Sequence, residues 1–144
     1  MGDVMNLDKK VLDLLLKNAE KAFKKGEIPV GALIIKNNKI IAKSHNNRQK
    51  KHNLLGHAEI NCILKAEKSI KDWRLDECEM YVTLSPCSMC EVIIEESRLK
   101  KVHFLVKQPN YNDKNPKIAQ ISDQNNQKIE YEKLLIKFFE RLRK

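Results

Sequence analysis

The sequence predicts an α/β fold, a three-layer α/β/α sandwich around one mixed sheet of about five strands. Short apolar runs rich in β-branched residues alternate with longer amphipathic segments, an order typical of a sheet covered by helices. The 144 residues, 42% of them apolar, are enough for a normal hydrophobic core. We therefore expect a single domain over residues 1–144.

The predicted elements follow one another in a regular order. Along the chain they are a helix at 8–25, strands at 28–35 and 40–44, a helix at 57–68, a strand at 80–84, a helix at 86–97, a strand at 102–106 and a closing helix after residue 127. Two internal segments, 45–55 and 107–127, are polar and predict mostly loop.

The helices are predicted from apolar residues that recur at helical spacing. Gly26 is a typical stop signal for the first helix, and Pro86 suits the start of the third because Pro is tolerated there. The basic residues of the closing helix, Arg141 among them, lie opposite its apolar face, which usually indicates a solvated surface. The apolar faces consist of Leu12, Leu15, Ala19, Ala22 and Phe23 in the first helix, Ile60, Ile63 and Leu64 in the second, and Tyr131, Leu134, Leu135, Phe138 and Leu142 in the last.

The strands are predicted from short apolar runs such as Met80-Tyr81-Val82-Thr83-Leu84. Asn37-Asn38 separates the first two of these runs. It suits a tight hairpin turn, because Asn tolerates positive φ.

The formal net charge is +9, from 28 Lys and Arg against 19 Asp and Glu. This balance suits a phosphate-rich partner, although the excess of Lys over Arg, with many Asn and Ile, also fits a nucleotide bias of the genome. The sequence shows no 18-residue apolar run and no signal-peptide pattern. We therefore expect no membrane partner and a cytoplasmic location.

The chemistry-bearing residues fall in two motifs, His57-Ala58-Glu59 and Pro86-Cys87-Ser88-Met89-Cys90. One His and two Cys supply three ligands to a zinc ion and leave its fourth position open for water, the pattern of a catalytic site. Without an export signal, a C-x-x-C pair favours a metal or redox role over a disulfide, and the upstream His-Glu pair favours zinc. The other cysteines, Cys62 and Cys78, are expected to be buried as small apolar residues.

The predicted helix starts bring these groups together. His57 lies at the first turn of one helix, and Cys87 and Cys90 lie at the first turn of another, where the helix dipole stabilises thiolates. Zinc would supply a water molecule of lowered pKa to attack an amidine-type carbon. Glu59 would take the proton of that water and pass it to the ring nitrogen and then to the departing ammonia.

Each motif also has a plainer interpretation. A C-x-x-C pair is common in structural zinc sites, which need a fourth protein ligand. That ligand could be His45, His52, His103 or Cys62. Glu59 alone could be an ordinary acid in a first helical turn. A structural site leaves the pairing of Glu59 with His57 unexplained, so the catalytic interpretation is favoured.

The signature H-x-E with P-C-x-x-C is that of zinc nucleobase deaminases. More specifically, the chain resembles the bacterial tRNA adenosine deaminases of the cytidine deaminase superfamily, over most of residues 8–106 and the last helix. The matching segments are Glu27-Ile28-Pro29-Val30-Gly31-Ala32, Asn46, His57-Ala58-Glu59, Trp73-Arg74-Leu75, Tyr81-Val82-Thr83-Leu84, Pro86-Cys87-Ser88-Met89-Cys90, Ser97-Arg98 and Phe138-Phe139-Glu140-Arg141-Leu142-Arg143.

The resemblance implies that the chain deaminates adenosine to inosine at the wobble position of a tRNA anticodon. It also implies that the protein is a homodimer. It implies one Zn²⁺ per subunit held by His57, Cys87 and Cys90, with Glu59 as the proton shuttle. The implied substrate-binding residues are Asn46, Ala58, Val30 and Pro86. The candidate RNA contacts are Arg48, Lys50, Lys51, Lys107 and Arg141, with His52 in the same loop as the first three. On sequence alone, Asn46 is more simply a turn residue, and the loop could equally be an exposed basic loop without a ligand.

The chain also departs from the family pattern. The departures are Leu55-Gly56 before the His motif, Ser85 before Pro86, the bulkier Glu91, Val92 and Ile93 after the second Cys, and Leu105-Val106-Lys107-Gln108-Pro109-Asn110, where Gln108 replaces an acidic residue. The stretch before the last helix is shorter than usual, which weakens the prediction of a fifth strand. These changes leave the zinc ligands intact and bear on the substrate.

Two other functions stay open at this point. A free nucleobase deaminase of the guanine or cytosine type would use the same zinc chemistry and would not need a positive surface. A non-catalytic zinc-containing RNA-binding protein would keep the fold and the metal. The presence of Glu59 argues against that last function, because loss of this residue is the simplest way to lose activity.

Overall fold

In the computed structural model, five strands form one mixed sheet with helices on both faces. The structure describes residues 2–122 and 126–142, with side chains from residue 9 onward in those ranges. The elements are α1 (Gly2–Lys24), β1 (Gly31–Lys36), β2 (Lys39–His45), α2 (Arg48–Lys51), α3 (Ala58–Ile70), β3 (Cys78–Leu84), α4 (Ser88–Ser97), β4 (Lys101–Val106), β5 (Ile118–Gln120) and α5 (Asn126–Leu142). The strand order is β2-β1-β3-β4-β5, which confirms the predicted fold class.

The sheet is mixed because it begins with a hairpin and continues through crossovers. Strand β1 pairs antiparallel with both β2 and β3, whereas β3, β4 and β5 are parallel to one another. The hairpin turn is made by Asn37 and Asn38, with φ of 51° and 63°, as expected for residues that tolerate the left-handed region. Parallel strands need long connections, and α4 supplies the one between β3 and β4.

Alternation along the strands divides the core into two layers. On one face, Ile34, Met80 and Phe104 pack with residues of α3 and α4. On the opposite face, Leu33 and Leu105 pack with residues of α1 and α5. Strand β3 lies at the centre of the sheet, and α4 begins four residues after its last residue, Leu84.

Several boundaries differ from the sequence prediction. Helix α4 begins at Ser88 rather than at Pro86, because Cys87 is the extended N-cap residue. The predicted loops contain the short helix α2 and the three-residue strand β5, neither of which has the periodic pattern that predicts an element. Leu64 and Leu142 are 54% and 66% exposed, so neither faces the core as predicted.

Over residues 2–122 and 126–142, no helix is both long enough and apolar enough to span a membrane.

Candidate active site

The predicted zinc ligands meet where β3 ends and α3 and α4 begin. His57 and Cys87 are the N-cap residues of the two helices, both with extended backbone, and neither side chain caps its own helix. Both side chains are therefore free to turn toward each other. The His57 Nδ1 atom lies 3.8 Å from Cys87 Sγ and 3.4 Å from Cys90 Sγ.

These three donor atoms fit a zinc ion. All lie within 4.8 Å of one another. Zn–S bonds of about 2.3 Å and Zn–N bonds of about 2.0 Å at a tetrahedral angle place a nitrogen and a sulfur donor about 3.5 Å apart. The two measured separations lie on either side of that value. Two sulfurs and one imidazole nitrogen are also the donor types that zinc prefers.

The structure supplies no fourth protein ligand to this cluster among the described residues. His103 instead pairs with Glu79 at 2.7 Å and stacks on Tyr81. The Nδ1 atom of His45 lies 3.0 Å from the Asn46 carbonyl oxygen, and Cys62 is fully buried in the core. The cluster therefore has the open, three-ligand form of a catalytic site rather than the closed form of a structural one.

The pKa values of the two cysteines are shifted in opposite directions. Hydrogen bonds from the Cys90 thiol and from His57 lower the pKa of Cys87. The same contact with Cys87, together with burial, raises the pKa of Cys90. The hydrogen bond to Cys87 likewise raises the pKa of His57. A bound dication favours the deprotonated form of all three groups, because each would donate a lone pair to it.

Glu59 lies in the first turn of α3, beside the ligands, and is only 4% exposed. Burial raises the pKa of its carboxyl to about 7, against the opposing effects of its own backbone N–H and the charge of His57. A dication in the neighbouring ligand set would lower that pKa again. A carboxyl that titrates near neutrality is suited to both accepting and releasing a proton.

A small cavity of about 120 Å³ opens onto this cluster. Its lining residues are Ile28, Val30, Asn46, Arg48, His57, Glu59, Leu84, Ser85, Cys87 and Gln108. Of the four predicted substrate-binding residues, Asn46 and Val30 line the cavity, whereas Ala58 and Pro86 are buried beside it and are not part of the wall. Asn46 is 5% exposed, so its amide is a buried polar group facing the cavity rather than a simple turn residue.

Sequence reasoning did not assign Ser85 and Gln108 to the pocket, although both were noted as departures from the family. The Gln108 N–H donates to Ser85 Oγ at 2.9 Å, and Gln108 Nε2 donates to the Ser85 carbonyl oxygen at 2.7 Å. These two contacts hold a neutral amide at the cavity wall. The Ser85 carbonyl oxygen can only accept a hydrogen bond, so the NH₂ group of the Gln108 side chain faces it. The side-chain carbonyl of Gln108 therefore points away from Ser85.

The basic residues predicted to contact RNA occupy different surroundings. Arg48 is half-buried and lines the cavity, whereas Lys50, Lys51 and Lys107 are exposed. The guanidinium of Arg141 instead lies 4.1 Å from the centroid of the Phe23 ring, and it donates to the Phe23 carbonyl oxygen at 3.2 Å. That contact joins α5 to the end of α1.

Comparison with known proteins places these features in a family. The model of the cytidine and deoxycytidylate deaminase zinc-binding region matches residues 5–106. A tRNA-specific adenosine deaminase of Rickettsia bellii is 50% identical over 91 residues, which are 62% of this chain and 63% of the relative. The matched region thus spans less than two thirds of that relative's length.

Two solved structures have the same fold. One, from studies of A-to-I editing by tRNA:A34 deaminases at the wobble position, is 26% identical with a TM-score of 0.71, covering 79% of this chain and 98% of its own. The other is guanine deaminase from Bacillus subtilis, 32% identical with a TM-score of 0.66, covering 69% of this chain and 64% of its own.

The zinc-binding region of the family model contains the His57, Cys87 and Cys90 cluster, so the match and the geometry agree on one zinc ion. The sheet, the two helix N-termini and the matched residues lead to the same assignment. The chain belongs to the cytidine and deoxycytidylate deaminase family.

Proposed function

We propose that this chain catalyses the hydrolytic deamination of adenosine to inosine at the wobble position of a tRNA anticodon. The observation that carries the proposal is the open three-donor cluster next to the buried carboxyl of Glu59 at the floor of a small cavity. A structural zinc site needs neither an open coordination position nor a neighbouring proton carrier.

In this proposal, His57, Cys87 and Cys90 hold the zinc ion. When bound, the metal lowers the pKa of water and so supplies a nucleophile at neutral pH. Glu59 accepts one proton of the attacking water and delivers it to the ring nitrogen of the base. It then transfers the remaining proton of that oxygen to the amino group, which leaves as ammonia as the carbonyl forms. Burial of Glu59 keeps competing water away from these transfers.

The cavity is sized for a base rather than for a whole nucleotide. Its volume of about 120 Å³ is well below the roughly 300–1,000 Å³ of sites that enclose drug-sized ligands. A base flipped out of a loop would enter it, while its ribose and phosphates stay outside. Val30 packs against the base and Asn46 donates or accepts a hydrogen bond at its edge, with Ala58 and Pro86 shaping the wall from behind.

Four further observations favour an RNA substrate over a free base. The chain carries a net charge of +9, Arg48 lies at the cavity wall, and Lys50, Lys51 and Lys107 are exposed. Cationic side chains contact phosphates and position a nucleic acid without reading its sequence. The relative from Rickettsia bellii, 50% identical in the matched region, is named a tRNA-specific adenosine deaminase. An enzyme with this substrate would act in the cytoplasm.

A homodimer is part of the proposal. Exposed apolar side chains lie on the segments that carry the zinc ligands. They are Leu54 and Leu55 before His57, Leu64 on α3 and Val92 on α4, between 47% and 67% exposed. Burial of such side chains against a second copy would stabilise a dimer. Light scattering of the purified protein would report a mass of two chains, and a single-chain mass at micromolar concentration would reject the dimer.

The substrate is tested with zinc-loaded protein and an anticodon stem-loop that carries adenosine at the wobble position. Free adenosine, guanine and cytosine are assayed in parallel for ammonia release. The proposal predicts inosine in the stem-loop and no turnover of the free bases. Turnover of guanine alone would assign the chain to the class of its other structural neighbour, the guanine deaminase.

A further inference from the structure

Glu27 is a buried carboxylate without a cationic partner in the described part of the chain. It precedes β1, is 1% exposed, and takes part in none of the ion pairs there. A buried carboxylate costs several kcal/mol unless it accepts strong hydrogen bonds. The hydrogen bonds that Glu27 accepts therefore indicate which part of the molecule it stabilises.

Both carboxylate oxygens accept backbone N–H groups from the loop between β2 and α3. Gln49 N–H donates to Oε1 at 3.0 Å, and Lys50 N–H donates to Oε2 at 2.8 Å. These donors are 22 and 23 residues away in sequence. One carboxylate thus fastens two adjacent peptide groups of the basic segment, defined here as residues 47–52.

Apolar packing contributes little to the position of the basic segment. Its short helix, Arg48–Lys51, has no buried residue. A single helical turn of this length is not stable by itself. Its order must therefore come from polar contacts with the rest of the molecule.

Two other polar contacts attach the start of the segment to α3 and to Gly56, which lies just before that helix. Asn61 Nδ2 donates to Asn47 Oδ1 at 2.9 Å, and Asn47 N–H donates to the Gly56 carbonyl oxygen at 2.8 Å. A Cβ on Gly56 would lie 2.6 Å from Asn47 Oδ1 and 2.8 Å from the Arg48 backbone, so glycine permits this close approach. Glu27 supplies the contacts to the middle of the segment, at Gln49 and Lys50.

The basic segment borders the candidate active site. Asn46, which immediately precedes it, lines the cavity, and Arg48 within it lines the same wall. Ile28, next to Glu27 in sequence, is also part of that wall. A shift of the segment would therefore move Arg48 relative to the cavity mouth while leaving His57, Glu59 and the cysteines on their own helices.

We propose that Glu27 is a positioning residue that holds the basic segment at the cavity mouth, so that Arg48 contacts a phosphate next to the base in the cavity. The inference rests on the proposed RNA substrate. It assigns to Glu27 a role in binding RNA and none in the proton transfers.

The holding contact is tested by amide hydrogen exchange, which does not depend on activity. Glu27→Ala removes both acceptors. Glu27→Gln keeps one acceptor oxygen and places an NH₂ group opposite the other backbone N–H donor. Exchange at the Gln49 and Lys50 amides should be fastest in Glu27→Ala, intermediate in Glu27→Gln and slowest in wild type. Exchange of the amides of α3 should be the same in all three proteins. Glu20→Gln, an exposed change on α1, is the matched control and should leave the pattern unaltered. Unchanged exchange at Gln49 and Lys50 in Glu27→Ala would refute the contact.

The proposed role of Glu27 in RNA binding is tested by measuring RNA affinity and turnover separately on zinc-loaded protein. For Glu27→Gln we expect the Kd for the anticodon stem-loop to rise several-fold, with the zinc content unchanged and kcat at saturating RNA within about twofold of wild type. A general loss of structure would lower zinc content and kcat together, which would overturn the proposal.

A double-mutant cycle with Arg48→Ala decides whether the effect passes through Arg48. If it does, Glu27→Gln should weaken RNA binding much less in the Arg48→Ala background than in wild type. Additive effects would contradict the proposal. If wild type binds the stem-loop without forming inosine, the proposed function fails, whereas the exchange and binding results still decide the role of Glu27.

Discussion

At the scale of single residues, the site depends on where two helices begin. His57 and Cys87 are N-cap residues, so their side chains project from the helix ends toward each other, and Cys90 and Glu59 follow within one turn. The motif spacing predicts that these side chains lie close together, because first-turn positions lie on neighbouring parts of one surface. Separations of 3.4 and 3.8 Å between His57 Nδ1 and the two sulfurs agree with that prediction.

The proposed role of Glu59 as proton carrier predicts the result of its removal. Glu59→Ala should retain one zinc per chain, because the three ligands are untouched, and should lose turnover by at least the 10²–10⁴-fold typical of a general acid–base group. Zinc is measured by atomic absorption and turnover by inosine formation. Wild-type activity in this variant would eliminate the proposed proton transfer.

The buried carboxyl also predicts a pH dependence of stability in the metal-free protein. Burial raises the pKa of Glu59 to about 7, above its usual value of 4.5, so folding favours the protonated form. Its contribution to stability is fully present below about pH 4.5 and is lost as the pH rises toward and past 7. The loss amounts to roughly 3–4 kcal/mol, since one pKa unit corresponds to about 1.4 kcal/mol.

Glu59→Gln should lack this dependence, because its amide does not ionise. We therefore expect the variant to gain stability relative to wild type between pH 5 and pH 8. The measurement is urea unfolding of both proteins with chelator and reductant present. A stability difference that does not change with pH would show that the buried carboxyl is not titrating in this range.

Residues whose contacts are distant in sequence were the hardest to predict. Glu27 carried one local signal, an acid beside an apolar run, and nothing nearby in sequence indicated that Gln49 and Lys50 are its partners. Arg141 was a candidate RNA contact, and the structure places its guanidinium on Phe23, 118 residues away.

At the scale of elements, long periodic segments were predictable and short ones were not. The hairpin at Asn37 and Asn38 was correct, because two residues that tolerate positive φ lie between two apolar runs. Helix α2 and strand β5, with four and three residues, were assigned to loops. Neither contains a full repeat of hydrophobic pattern, and both depend on contacts with neighbouring elements.

Helix α1 packs so closely on β1 that a glycine is required between them. A Cβ on Gly31 would lie 2.6 Å from the Leu15 carbonyl oxygen and 2.9 Å from the Ala19 nitrogen, both backbone atoms. Gly31→Ala should therefore push α1 away from the sheet and destabilise the protein by about 1–3 kcal/mol. Urea unfolding provides the measurement.

Gly26→Ala is the control for this change. Its Cβ would meet nothing within 4 Å, but its φ of +79° is strained for alanine. That strain alone is expected to cost about 1 kcal/mol. A Gly31→Ala variant as stable as wild type would mean that α1 can move without loss of packing.

At the scale of the whole molecule, the fold class followed from the alternation of strands and helices, whereas the substrate did not follow from the fold. Deaminases of tRNA and of guanine share this architecture, as the two solved neighbours illustrate. The distinction rests on the net charge of +9 and on the basic side chains near the cavity.

The charge predicts how RNA binding responds to salt. Each phosphate contact contributes close to one unit to the slope of log Kd against log salt concentration, and less for single strands. Arg48→Ala should weaken stem-loop binding and reduce that slope by about one. Fluorescence anisotropy at several salt concentrations measures both quantities. An unchanged slope would mean that Arg48 does not contact a phosphate.

The central claim is that one zinc ion at His57, Cys87 and Cys90 supports deamination of a tRNA wobble adenosine. The most direct measurement determines zinc content and inosine yield on the same protein sample, before chelation, after chelation and after zinc is restored, with the anticodon stem-loop as substrate. The account predicts one zinc per chain, inosine only in the zinc-loaded samples, and recovery on restoration. One zinc per chain with no inosine from the stem-loop would contradict it.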